Sequence, residues 1–89
     1  MRQQFRVKGQ VQGIGYRFFV VQAAQKLSLT GWVRNCSNGD VECEVQGKKE
    51  AIEIFVRHLE TGHTFARVEN IFKEPIPDRS KEEGFDIRF

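Results

Sequence analysis

The chain has 89 residues and a mass of 10.3 kDa, which allows one small domain, expected to span residues 1–89, and leaves no room for a second. Apolar residues make up 39% and charged residues 29%, and no apolar run approaches the roughly 20 residues that cross a bilayer as a helix, so no membrane partner is expected. Fourteen Lys and Arg against twelve Asp and Glu leave a formal charge of +2, with the cations scattered from Arg2 to Arg88, which argues against a nucleic-acid partner.

The segment from Met1 to Arg6 has no apolar stretch of signal-peptide kind, so a cytoplasmic protein is expected. Phe5, Val7 and Val11 are odd-numbered apolar positions with Arg6 and Lys8 between them, and the spacing predicts a half-buried strand ending near Gly9 or Gln10. Gln12-Gly13-Ile14-Gly15 reads as a tight turn. From Tyr16 the period becomes helical, with Tyr16, Phe19, Val20, Ala23, Ala24 and Leu27 on one stripe, and the helix is expected to stop near Ser28.

Gly31 to Asn35 reads as a second strand, followed by a hairpin at Asn38-Gly39 in which both residues tolerate positive φ. Val41, Cys43 and Val45 alternate with Glu42, Glu44 and Gln46 as a third strand. Ile52, Phe55, Val56 and Leu59 define a second helix, with Gly62 at its C-cap. Ala66 to Phe72 reads as a fourth strand with a bulge between Val68 and Ile71. Pro75 and Pro77 then open a loop through Gly84, and Phe85, Ile87 and Phe89 form a short last strand.

The order βαββαβ, with a short extra C-terminal strand, predicts an α+β ferredoxin-like sandwich. Two helices would cover one face of a mainly antiparallel sheet whose other face is wet. An RNA-binding module shares this strand order but needs stacking aromatics on its third strand, where this chain has Val41-Glu42-Cys43-Glu44-Val45.

The chemically informative stretch is the glycine-rich turn between the first strand and the first helix, with Arg17 in the helix's first turn. The N–H groups there lack intrahelical partners and the peptide dipoles favour negative charge. Gly13 and Gly15 let successive N–H groups converge on an anion, and the Arg17 fork can hold two phosphate oxygens. The same residues also fit an ordinary strand-to-helix turn with a solvated Arg, because the stretch lacks the ending of a P-loop.

Cys36 and Cys43 read as reduced thiols, Cys43 as a core residue, with a disulfide across the hairpin left to geometry. His58 and His63 read as surface residues, because no further ligands stand at metal-site spacing. Glu42 and Glu44 read as solvated charges opposite Arg6, Lys8 or Arg34. Trp32 shares the parity of Arg34, a position for a cation–π contact.

Gly9-Gln10-Val11-Gln12-Gly13-Ile14-Gly15-Tyr16-Arg17, then Gly31-Trp32-Val33-Arg34-Asn35, then Gly39-Asp40-Val41-Glu42 resemble the motifs of the acylphosphatase family. The closing Phe85-Asp86-Ile87-Arg88-Phe89 resembles that family's C-terminus. The resemblance implies hydrolysis of acyl phosphates to carboxylate and inorganic phosphate, without metal, cofactor or covalent intermediate. It implies that the loop Gln12, Gly13, Ile14, Gly15, Tyr16 and Arg17 cradles the phosphate, that Arg17 binds it, and that Asn35 positions the attacking water. The substrate partner is a small acyl phosphate and a monomer is the default. The alternative is a non-catalytic phosphate-binding or carbamoyl-phosphate-binding domain.

Overall fold

A computed structural model describes residues 1–89. Strands β1 (Arg2–Gln10), β2 (Thr30–Asn35), β3 (Val41–Gln46), β4 (Arg67–Ile76) and β5 (Phe85–Arg88) form one sheet in the order β4-β1-β3-β2-β5. Helices α1 (Tyr16–Lys26) and α2 (Lys49–Thr61) complete the ferredoxin-like α+β fold. All pairs are antiparallel except β2 with β5, which run parallel at the edge.

Alternation sets the two faces of the sheet. Phe5, Val7, Val33, Val41, Cys43 and Val45 are fully buried and pack with Val20, Ala24, Ile52, Phe55 and Leu59 of the helices. Burying each Val, Leu or Phe contributes about 1.5–3 kcal/mol before entropy is counted. The Phe55 ring meets Phe5 and Phe85 at centroid distances of 6.1 and 6.3 Å, joining strands from the middle and the edge of the sheet to α2. Cys36 and Cys43 are both free thiols, and burial pushes the Cys43 thiol up into unreactivity.

The structure departs from the sequence expectations in three places. The hairpin turns through the five residues Cys36 to Asp40, of which only Gly39, at φ 98°, is left-handed. The Gly39 N–H donates to the Cys36 carbonyl, and Asn38 Oδ1 accepts the Asp40 N–H, so the asparagine acts through its side chain. β4 does not stop at Phe72 but runs on to Ile76, with Pro75 opposite Gln3. Proline is tolerated there because β4 is an edge strand whose outer N–H groups need no partner.

Gly62 is the C-cap of α2 as expected, at φ −81°, so handedness is not what demands glycine. A Cβ there would come within 2.6 Å of the Phe19 ring and 2.7 Å of the His58 carbonyl. Finally, Glu42 is buried rather than solvated, bridged by Arg6 at 2.9 Å and Arg34 at 2.8 Å. The expected bulge is present: Lys8 faces Asn70 and Gly9 faces Val68, leaving Glu69 as the extra residue.

The loop from Pro77 to Gly84 crosses from β4 to β5 over the ends of the inner strands. Its Glu82 accepts hydrogen bonds from the fully buried Arg2 guanidinium, at 2.7 and 3.2 Å. Its Arg79 exchanges bonds with the Gln46 side chain, and the Gly84 carbonyl accepts from Gly31 N–H. This strap lies at the end of the sheet opposite the carboxyl ends of β1, β2 and β5.

Candidate active site

The carboxyl ends of β1, β2 and β5 converge on the N-terminus of α1. Between β1 and α1 the chain turns through Val11 to Gly15, with Gly13 at φ 78° and Gly15 at φ 76°. A Cβ on either would meet nothing within 4 Å, so the left-handed backbone, not crowding, requires glycine there. Gly15 is the N-cap of α1, contributes no side-chain cap, and no acidic residue occupies the first turn. The first helical bond runs from Phe19 N–H to the Gly15 carbonyl. The backbone N–H groups of Gln12 to Phe18 find no acceptor within the chain, which leaves a row of donors at the positive end of a helix dipole.

Tyr16 fixes that end of the helix. Its ring is buried, and its hydroxyl donates to the Leu59 carbonyl in α2 at 2.7 Å. Burial holds the phenol well above its usual range, so it stays protonated. Tyr16 therefore anchors through its side chain and faces the loop with its backbone. Ile14 is half-buried against the core, and the Gln12 side chain also turns away from the concavity. Gln12 Nε2 donates to the carbonyls of Cys36 and Asp40 at 2.8 and 2.9 Å, tying the loop to the β2–β3 hairpin.

Arg17 points back toward β5. One Nη donates to the Arg88 carbonyl at 3.0 Å, and the guanidinium carbon lies 4.8 Å from the centroid of the Phe89 ring. A guanidinium has five N–H donors, so the rest of the fork remains free. Asn35 ends β2 with the parity of Val33, on the side of the sheet that the helices cover. Its Oδ1 is buried and has no hydrogen-bond partner. Leaving such an oxygen unpaired costs about 1–3 kcal/mol.

Gly13, Gly15, Arg17, Phe18 and Asn35 line one concavity of about 140 Å³. The structure thus brings together Arg17, Asn35 and the two glycines of the loop, while Gln12 and Ile14 do not line the concavity. Three features were not legible in the sequence: the Gln12 tether, the Arg88 carbonyl and Phe89 ring that hold Arg17, and the Phe18 ring at the rim. The first two depend on contacts between segments far apart in the chain.

Cys36 is half-buried beside this site and its carbonyl, not its thiol, is engaged. His58 is exposed, whereas His63 is half-buried and meets Phe19 edge-on at 5.3 Å. The Trp32 ring lies beneath Arg34 and Arg88 at 5.4 and 4.4 Å, on the face away from the helices. No cluster of three or more His, Cys, Asp or Glu side chains is placed to hold a metal ion. No helix is long and apolar enough to cross a membrane.

A ferredoxin-like sandwich with a donor-lined loop at a helix N-terminus and one arginine beside it defines an anion-handling α+β protein. The acylphosphatase family model matches residues 3–87. An acylphosphatase of Geobacillus kaustophilus is 46% identical over 83 residues, covering 93% of this chain and 88% of its own. The crystal structure of acylphosphatase from Bacillus subtilis superimposes with a TM-score of 0.93 at 33% identity, covering 99% of this chain and 98% of its own. T. kodakarensis HypF matches at a TM-score of 0.87 and 32% identity, covering 100% of this chain but only 12% of that longer one. The chain belongs to the acylphosphatase family, whose reaction is the hydrolysis of acyl phosphates.

Proposed function

We propose that the N–H groups of Gln12, Gly13, Ile14, Gly15, Tyr16 and Arg17, with the Arg17 guanidinium, hold the phosphoryl group, and that Asn35 aims the water. In this reading, water attacks phosphorus and the bond from phosphorus to the acyl oxygen breaks. The electron pair leaves with the carboxylate, and the water's proton ends on phosphate or solvent. The carboxylate is a stable leaving group, so no general acid is required, and the reaction proceeds without metal or cofactor. Donors fixed before substrate arrives stabilise the charge that builds on the equatorial oxygens.

The observation that carries this reading is the row of partnerless N–H groups from Gln12 to Arg17, in a turn whose Gly13, Gly15 and Arg17 line the same concavity as Asn35. An amide is not usefully basic, so Asn35 acts by accepting a hydrogen bond from water and fixing its line of attack. Residues 1–89 act as one domain, since the strands and helices share one core. All groups of the site come from one copy of the chain, which supports a monomer as the working unit. The two free thiols suit a reducing cytoplasm.

The test is release of inorganic phosphate from benzoyl phosphate, with EDTA present. Turnover in EDTA with competitive inhibition by inorganic phosphate is expected. In Arg17→Ala, kcat/KM falls by about 100-fold or more, the loss typical of removing a positioned charge-stabilising donor. Phosphate binding without turnover would instead make the chain a non-catalytic phosphate-binding or carbamoyl-phosphate-binding domain.

A further inference from the structure

The concavity of about 140 Å³ is smaller than the roughly 300–1,000 Å³ that whole small-molecule sites enclose. It has room for the phosphoryl end of a substrate, so the acyl arm must lie along the rim. The rim is apolar. Phe18 lines the concavity and is 62% exposed, one residue beyond Arg17 in the first turn of α1. Its neighbour Phe19 packs against the core, whereas Phe18 takes no part in it. The Phe89 ring stacked on Arg17 is also almost wholly exposed.

We infer that Phe18 is a specificity residue, a wall against which a flat apolar acyl group lies while the phosphate sits in the loop. The inference rests on the acyl phosphate reading and narrows its substrate class to carboxyl phosphates with aromatic or bulky apolar acyl groups. Those with small or charged acyl groups are disfavoured, because they gain nothing from an exposed ring. An aromatic acyl group can stack offset on Phe18, so that one face of each ring leaves water.

The experiment compares kcat/KM for benzoyl phosphate and acetyl phosphate in wild type, Phe18→Ala and Phe18→Leu. Wild type is expected to prefer benzoyl phosphate. In Phe18→Ala the benzoyl-to-acetyl ratio falls by about three- to tenfold, the worth of one aromatic stacking contact, mainly through a higher KM for benzoyl phosphate. Phe18→Leu, which keeps an apolar surface without a ring, falls in between. The inhibition constant for inorganic phosphate, which has no acyl arm, stays within about twofold and shows the loop intact. An unchanged ratio, or an equal loss on both substrates, overturns the assignment of Phe18. A wild type that hydrolyses neither substrate contradicts the acyl phosphate reading itself.

Discussion

At the scale of single residues, Asn35 carries the sharpest tension between stability and chemistry. A buried amide oxygen with no partner destabilises the fold, and it persists where a bound water or substrate will complete it. Asn35→Ala removes that oxygen. The expected result is a fall in kcat of about 100-fold or more with the inhibition constant for phosphate nearly unchanged, since water positioning and not anion binding is lost. Thermal stability should hold or rise, which a melting curve reads directly. A large loss of stability would show that the side chain serves the fold. The residue's presence at the end of a strand was legible from the motif around it, but its empty hydrogen bond was not, because that depends on what α1 and β3 leave uncovered. Glu42 shows the converse: its alternation with Val41 and Cys43 placed it on the correct face, and only the two arginines that close over it make it buried.

At the scale of elements, the first helix is held at both ends by means other than side-chain caps. Its N-terminus has no side-chain cap, and its first N–H groups have no acceptor. Its C-terminus closes in a Schellman arrangement, with Leu29 N–H donating to the Ala24 carbonyl and Ser28 N–H to the Gln25 carbonyl. Ser28 occupies the left-handed position at φ 56°, where glycine is the usual residue. Ser28→Gly should therefore stabilise the protein by about 0.5–1 kcal/mol, raising Tm by about 2–8 °C. No gain would mean that the serine is not strained there. Helix and strand identities were readable from periodicity because Phe, Val and Leu recur at the right intervals. The extent of β4 was not, because Pro75 signals a break unless the strand is known to lie at an edge, and edge position is a property of the sheet. The hairpin was placed correctly by Asn38-Gly39, while the number of loop residues was set by the pairing around it.

At the scale of the molecule, the sheet has an open end and a tied end. Converging carboxyl termini and α1 make the first, and the Pro77–Gly84 strap makes the second through Arg2 and Glu82. The Arg2 guanidinium holds the Glu82 carboxyl below its ordinary range. A carboxyl whose folded pKa is lowered stabilises the fold fully above its unfolded pKa, about 4.3, and loses that contribution as pH falls through the folded value. Glu82→Gln should thus lower stability by about 1–3 kcal/mol at pH 7, with the gap to wild type closing in acid, as urea midpoints at pH 7 and pH 3 would read. An equal gap at both pH values would show that charge is not the cause. The architecture was legible in the sequence because each level agreed with the next, but the strap was not, since its polar residues carry no period. Amide NMR during titration with inorganic phosphate reads the α1 end of the sheet residue by residue. Phosphate binding in the loop predicts that the largest shifts fall on the N–H groups of Gln12 to Arg17, saturate together, and vanish in Arg17→Ala. Saturating shifts centred elsewhere, or a loop that stays silent while phosphate inhibits turnover, would contradict it.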